Sequence, residues 1–319
     1  MKKIVVSAPG KLHLSGEHAV VYGKPALLTS ISKRLFVTVT ETSGSELVID
    51  LPDVHSSDTT AGQKLIKRLL TIAQTQFQHN ITGLTVSVHS EFPIASGLGS
   101  SAALSVALVG AMSQLVQAPW NQTDINEKAY SLEKLIHGNP SGGDNTIASF
   151  GGLLWYRKEF EFLKTFWMLP FTIPKNFGTF FLFDTKRHET TADLIGFVTK
   201  KSKVSREAIF NQMELVTKTI VQAIKDEDKK QFIQSLTENE RLLENLGVVS
   251  AATKKLIRAI EIAGGVAKIS GAGGRKSGSG MVLALLDETV AQKIAQKFQV
   301  SLLPVSLGGP GVKLEKMTL

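Results

Sequence analysis

Cysteine is absent from this 319-residue chain, which excludes disulfides, thiolate metal sites and thiol catalysis. The absence fits a reducing compartment. Long apolar runs are also missing. The opening MKKIVVSAPGK places two lysines before a short apolar run, as a signal peptide would. The run stops after Val6 and Pro9-Gly10 follows, so the segment reads as a first strand. No stretch reaches the roughly 18–20 apolar residues that a membrane span needs. Tandem repeats and low-complexity segments are lacking too. These absences point to a cytoplasmic protein with no membrane partner.

The formal net charge is +8, which admits nucleic acid, acidic membrane surfaces or anionic small substrates as partners. A concentrated basic tract is not there. The densest groups, Lys200-Lys201-Ser202-Lys203 and Lys225 to Lys230, are short, and acids interrupt the second. Neither carries the interleaved aromatics of a nucleic-acid groove. They read as solvated faces, and no nucleic-acid partner is expected.

At 43% hydrophobic and 20% charged, the composition is that of an ordinary globular protein, with enough chain for two domains. The first third is rich in strands. Ile4–Ser7, Leu35–Thr42, Glu46–Leu51 and Leu84–Ser90 combine β-branched residues with alternation. Helices are expected over Ala61–Phe77, Ser100–Leu115 and Thr123–Ile136, the last capped by Thr123 or Asp124. Ser100–Leu115 is apolar nearly all round and should be buried. Strands follow at Gly152–Tyr156 and Phe177–Asp184. From Thr190 to Gly264 the pattern is mostly helical. Strands at Val266–Ser270 and Met281–Leu286 then flank a glycine-rich stretch. The mixed order argues for an α+β fold, with a boundary near Pro174 that gives domains 1–174 and 175–319.

Four segments have the composition of a reactive site. Pro93-Ile94-Ala95-Ser96-Gly97-Leu98-Gly99-Ser100-Ser101-Ala102-Ala103 follows a strand and opens the apolar helix. Its glycines let the backbone approach a ligand, and the helix start offers unpaired N–H groups and a positive dipole end. The segment reads either as a phosphate cradle or as a tight turn with a serine cap. It is not a Walker A loop, because Gly-Lys-Ser/Thr is missing. A second segment carries Glu133, His137 and Asp144 around Asn139-Pro140-Ser141-Gly142-Gly143. Glu133 lies near a helix C-terminus, where its charge opposes the dipole; it is either a solvated surface residue or the neighbour of a cation. Asp144 is either an N-cap or a general base at a pocket mouth. A third, Lys268-Ile269-Ser270-Gly271-Ala272-Gly273-Gly274-Arg275-Lys276-Ser277-Gly278-Ser279-Gly280, is either a mobile hairpin or a backbone passing close to a ligand. The fourth places Lys11, Glu17 and His18 around glycine turns after the first strand.

Together and in this order, APGK, SGLGSSAA and GAGG resemble the GHMP kinase superfamily. Within it, GEHAVVYG and IHGNPSGGDN are most similar to the mevalonate kinases. The resemblance implies a domain related to ribosomal protein S5 domain 2, then a ferredoxin-like domain with added helices, with ATP between them. It implies that Pro93, Ser96, Gly97, Leu98, Gly99, Ser100, Ser101 and Ala102 wrap the triphosphate, and that Ser101 and Glu133 hold Mg2+. Asp144 matches the catalytic base, and Lys11 matches the lysine paired with it. Glu17, His18, Thr190, Gly271, Ala272 and Gly273 fall on the side of the acceptor, mevalonate, with Thr191 nearby. The resemblance also suggests a homodimer. Other readings are a kinase of phosphomevalonate, homoserine or a sugar, a basic nucleic-acid-binding protein, or a silent ATP-binding module. The sequence departs from the family pattern at Gly143, where a branched apolar residue is usual, and in the basic loop GAGGRKSGSG.

Overall fold

The computed structural model describes residues 2–52, 56–78, 82–94, 96–138, 140–160 and 163–318. Ala95 and Asn139, which belong to two of the segments above, lie outside them. The first half of the chain forms strands β1 (Lys3–Ser15), β2 (Pro25–Glu41), β3 (Leu47–Asp50), β4 (Leu84–Ser90), β5 (Leu153–Lys158) and β6 (Lys164–Met168). Its helices are α1 (Ser56–Gln76), α2 (Ser100–Leu115), α3 (Gln122–His137) and α4 (Gly143–Phe150). The second half has β7 (Phe180–Asp184), helices α5 (Thr191–Thr199), α6 (Lys203–Lys225), α7 (Lys229–Leu246) and α8 (Ala251–Ile262), then β8 (Val266–Ile269) and β9 (Met281–Leu285). It closes with α9 (Glu288–Phe298), β10 (Ser301–Val305) and β11 (Lys313–Thr318).

Two sheets result among the described residues. The larger runs β11-β1-β2-β4-β3, with β5 on the first part of β2 and β6 beyond it. Only its β3–β4 pair is parallel. The smaller runs β10-β7-β9-β8, all antiparallel. This is the α+β architecture that the order of elements predicts. β1 is longer than its opening apolar run suggests. It continues through Pro9-Gly10 to Ser15, because its register on β2 shifts between Pro9 and Lys11 and again between His13 and Ser15. Bulges of this kind accommodate a residue without a backbone donor and re-aim the side chains that follow.

Helix α2 is buried along almost its whole length, as its all-round apolar sequence requires. It packs on β1 and β2 and against α3 and α4. The N-cap of α3 is Asn121 rather than Thr123 or Asp124: Asn121 Oδ1 accepts from the N–H groups of both those residues. In the second half the continuous core is rich in phenylalanine. Phe177, Phe181, Phe183, Phe210 and Phe232 are fully buried, and Phe232 lies tilted against Phe177 and edge-on to Phe180.

β11 belongs by sequence to the second half but hydrogen-bonds to β1 in the first sheet. Arg34 on β2 secures the approach to it, donating to the carbonyls of Pro310 (3.0 Å) and Gly311 (2.7 Å). Ser7 donates to Glu315.

A buried polar network joins the two halves near the end of β1. Lys268 on β8 is fully buried, and its three N–H bonds have three acceptors. These are Glu17 Oε1 at 2.5 Å, Ile269 O at 2.6 Å and His13 O at 3.2 Å. Asn239 Nδ2 on α7 donates to the other oxygen of Glu17 at 3.3 Å, and Ser15 donates to Asn239 Oδ1 at 2.8 Å. Beside them Glu240 Oε2 accepts from the Ile269 N–H at 2.8 Å, while its Oε1 is buried without a partner. Burial, reinforced by the Glu244 and Glu17 charges, pushes the Glu240 carboxyl up to about 8. It is therefore protonated at neutral pH.

Removing one member of a buried ion pair strands the other charge away from water. Lys268→Met is expected to destabilise the protein by about 3–5 kcal/mol, measured by urea denaturation. The double change Lys268→Met with Glu17→Gln should recover most of that loss. A single-variant effect below about 1 kcal/mol would show that the pair does not hold the halves together.

Candidate active site

The two halves face each other across a cleft of ≈ 370 Å³. One wall carries Lys11, His13, Ser96, Gly97, Gly99, Ser100, Ser101, His137, Ser141 and Asp144. The other carries Arg187, Thr191, Ser270, Gly271, Ala272, Ser279 and Gly280. All four segments singled out in the sequence thus supply most of its surface.

The glycine-serine loop meets α2 at Gly99, the helix N-cap. Its φ of 76° is left-handed, and no side chain caps the helix. The first-turn N–H groups are thus left for a ligand. Glycine is needed for a second reason: a Cβ at Gly99 would lie 2.7 Å from Lys11 Cγ. The aliphatic stem of Lys11 crosses the loop at this point, and the Lys11 N–H donates to Leu98 O at 2.9 Å. Leu98 and Ala102 are buried and anchor the loop and the helix. Ser96 donates to Pro93 O at 2.6 Å, closing the turn. An uncapped helix start behind a glycine turn is the local chemistry that a phosphate requires.

Lys11 Nζ stands 3.3 Å from Asp144 Oδ2. Asp144 lies in the first turn of α4, entered through Gly142 at φ 87°. There the helix dipole favours its negative charge. The N-cap is Gly142 and no side chain caps α4, so Asp144 is not the cap; it lies inside the first turn and lines the cleft. Gly143 is the first residue of α4. A Cβ there would meet only Ser141 Oγ at 3.5 Å, Leu28 Cδ2 at 3.7 Å and Tyr156 Cδ1 at 3.7 Å. Those are ordinary contacts, so space does not demand glycine.

Glu133 is not a solvated surface residue. It is 3% exposed and accepts from two serines one turn apart on α2, Ser101 at 3.3 Å and Ser105 at 3.1 Å. His137 Nε2 is 2.9 Å from Ser101 Oγ and 3.7 Å from Glu133 Oε2. Burial, followed by the nearby Asp144 charge, pushes the Glu133 carboxyl up to about 7. The Ser101 hydroxyl and the Glu133 carboxylate are hard oxygen donors, the kind Mg2+ accepts. Two protein donors suffice for an ion that keeps its waters and also binds phosphate. No cluster of three or more His, Asp or Glu competes as a metal site among the described residues.

On the acceptor side, His18 is buried, and its Nε2 lies 2.9 Å from Ala272 O. Burial lowers its pKa, against the Ala272 bond and the Glu17 charge. Glu17 does not line the cleft but sits in the buried network behind it. Gly273 also lies behind the surface: a Cβ there would be 2.2 Å from Val248 O, so glycine is required for the chain to pass. Of the two threonines, Thr191 lines the cleft. The Thr190 hydroxyl closes a capping box at the start of α5, exchanging hydrogen bonds with Asp193. The basic residues of the late loop turn away from the cleft. The Arg275 guanidinium lies over the Phe197 ring at 3.6 Å, and Glu189 accepts the Arg275 and Lys276 N–H groups.

Two basic cleft residues escaped sequence reasoning. His13 has its Nδ1 3.5 Å from Lys11 Nζ. Burial, then the Lys11, Lys268 and His18 charges, holds it well below the usual histidine range. It is neutral, with Nδ1 facing the ammonium as an acceptor. Its alternation with Lys11 on β1 was the available signal. Arg187 follows β7 in a segment with no motif.

Comparison with known proteins bears on the fold and the family. Residues 64–152 match the family model of the GHMP kinases N terminal domain. A crystal structure of L. major mevalonate kinase in complex with R-mevalonate superposes with a TM-score of 0.81 at 22% identity, covering 95% of each chain. The architecture is thus that of the GHMP kinases. The mevalonate kinase of Pyrococcus furiosus is 30% identical over 300 residues, covering 85% of this chain and 87% of the relative. That of Schizosaccharomyces pombe is 29% identical over 378 residues, covering 98% and 92%. The chain belongs to the mevalonate kinase family.

Glu133 gives a pH signature. Its folded pKa lies above its unfolded value, so between about 4.5 and about 7 the folded state holds a proton that the unfolded chain has lost. Stability from this group is present at low pH and declines as pH rises to about 7. Without divalent cations, urea midpoints of the wild type should fall relative to Glu133→Gln from pH 5 to 7 and run parallel above. Parallel midpoints throughout would reject the assignment.

Proposed function

We propose that this protein transfers the γ-phosphoryl group of ATP to the 5-hydroxyl of mevalonate, in isoprenoid precursor synthesis. The observation that carries the reading is the Lys11–Asp144 pair, 3.3 Å apart, set at the mouth of an uncapped helix behind a glycine loop. Phosphoryl transfer needs a held triphosphate, an oriented hydroxyl and neutralised oxygens. The loop from Ser96 to Ser101 holds the phosphates through backbone N–H groups. Asp144 accepts a hydrogen bond from the acceptor hydroxyl and aims its oxygen at the γ-phosphorus. As the new O–P bond forms, the bond from the γ-phosphorus to the bridging oxygen breaks, ADP leaves, and the hydroxyl proton passes to Asp144 and then to solvent. Lys11 stands beside both the carboxylate and the reacting oxygen and steadies the charge that develops there. Neutral His13 supports this by offering Lys11 an acceptor without cancelling its charge.

Ser101 and Glu133 would hold Mg2+, which supplies charge neutralisation of the triphosphate when bound. The same reading divides the chain into domains 1–174 and 175–319, with β11 returning from the second to the sheet of the first. It extends to a cytoplasmic homodimer that has no nucleic-acid or membrane partner. Among the described residues no helix is long and apolar enough to cross a membrane.

The test is magnesium-dependent ADP formation with mevalonate, phosphomevalonate, homoserine and galactose, with product mass checked for one added phosphoryl group. Mevalonate should be the preferred acceptor and EDTA should abolish turnover. Preference for another alcohol would overturn the substrate. Asp144→Asn should lower kcat by about 10²–10⁴-fold with ATP affinity, read by calorimetry, within about twofold. Loss of ATP binding in a folded Asp144→Asn protein would move this residue to the nucleotide site.

A further inference from the structure

We propose that Arg275 is a positioning residue: laid on Phe197, it latches helix α5 to the late glycine loop, so that the two parts of the second-half wall hold the acceptor as one piece. The inference rests on the reaction proposed above for the identity of the acceptor. It gives a role to the basic stretch GAGGRKSGSG, which that reaction leaves unused.

Helix α5 is lightly held. Of its nine residues only Leu194 and Val198 are buried. Yet its first residue, Thr191, lines the cleft. The capping box of Thr190 and Asp193 closes the helix start on itself and ties it to nothing else. At the other end the Tyr22 hydroxyl lies 2.9 Å from Thr199 Oγ1, and Arg206 Nη1 donates to Thr199 O at 2.7 Å. A short helix with little apolar burial opens readily unless something else restrains it.

The late loop is the better anchored partner. The Gly274 N–H donates to Val248 O at 2.8 Å, and Ser279 Oγ donates to Gly274 O at 2.9 Å. Ala272 O lies 2.9 Å from His18 Nε2, which ties the loop to the first half as well. Gly271 and Ala272 line the cleft. From this fixed base Arg275 reaches α5. Its guanidinium carbon sits 3.6 Å from the centroid of the Phe197 ring, and Lys201 Nζ lies over the same ring at 5.4 Å. A Cβ added at Gly247 would be 3.4 Å from Phe197 Cε1 and Cζ, so the end of α7 backs the ring. Glu189, just before α5, completes the latch by accepting the N–H groups of Arg275 at 2.5 Å and Lys276 at 3.2 Å. These are charge-assisted bonds. The planar guanidinium adds a stacking attraction that a flexible ammonium matches less well. Arg275 itself does not line the cleft, so it acts through Thr191 on one side and Gly271-Ala272 on the other.

The experiment compares the wild type with Arg275→Ala, Arg275→Lys, Phe197→Leu and the double variant Arg275→Ala with Phe197→Leu, each checked for folding by thermal melting. Hydrogen exchange without ligands reads the latch directly. In Arg275→Ala the amides of residues 191–199 should exchange about 3–10-fold faster, while those of α7 stay unchanged. KM for mevalonate should rise by a similar factor, KM for ATP should stay within about twofold, and kcat should change less than KM. Arg275→Lys should recover part of both effects. Phe197→Leu should reproduce them, and the double variant should be no worse than either single one, because the two side chains make one contact. Unchanged exchange in α5 would overturn the proposal. So would a rise in KM for ATP with mevalonate unaffected, which would place Arg275 on the nucleotide. So would single effects that add in full. A wild type without mevalonate turnover fails the underlying reading instead; the exchange comparison and the double variant then still decide the latch.

Discussion

The buried pair of Glu17 and Lys268 is the interaction on which the arrangement of the cleft depends. Glu17 lies in the turn just after the first strand of one half, and Lys268 lies in the sheet of the other. Each is buried: both oxygens of Glu17 are met from the other half, by Lys268 and Asn239, and Lys268 donates to acceptors in both. Lys268 also donates to the carbonyl of His13, two residues from Lys11. The same ammonium that joins the halves thus fixes the strand from which Lys11 reaches Asp144. A buried ion pair gives little net stability, but it tolerates few geometries. Glu240 remains beside it without adding a second negative charge, because it is protonated at neutral pH.

In the cleft, charge is distributed so that each group meets a different demand. One wall is built from backbone donors and a bare helix start, which suit phosphate. At its inner edge lies a pair of opposite charges, Lys11 and Asp144. Behind that is Glu133, whose ionisation is suppressed by burial and eased by two serine hydroxyls. A carboxyl poised near neutrality, next to oxygen donors, binds a cation while giving up a proton. Lys11 brings these parts together physically. Its stem packs over Gly99 and its ammonium faces Asp144, so the glycine loop and that carboxylate are placed by one side chain.

Much of this was legible in the sequence because it is local. The all-round apolar character of Ser100–Leu115 signalled a buried central helix. Glycines next to serines at its start offered a phosphate cradle or a tight turn, while the short helix after Gly142 was read only as a glycine turn before an apolar run. What escaped is set by contacts distant in sequence. Nothing near Glu133 announces burial, because the serines that receive it lie 28 and 32 residues away. Nothing near Lys268 announces a partner 251 residues earlier. The continuation of β1 through Pro9-Gly10 depends on two register shifts against β2. The edge strand Lys164–Met168 has its side chains largely at the surface, and so lacks the alternation that reveals a half-buried strand. Thr190 and Thr191 are indistinguishable in sequence; the capping box decides which one faces the cleft.

The position of β11 has a consequence for how the molecule is made. Chains leave the ribosome from the N-terminus onward, and domains tend to fold as they emerge. Here the sheet that carries Lys11 cannot close until residues 313–318 are available, after the whole second half has been synthesised. Until then the outer edge of β1 is an unpaired strand edge, open to other chains. Arg34 waits in the same interval without the Pro310 and Gly311 carbonyls that later satisfy it. Assembly of the first half is thus a late event, and the nascent chain relies on its second half before its first is complete.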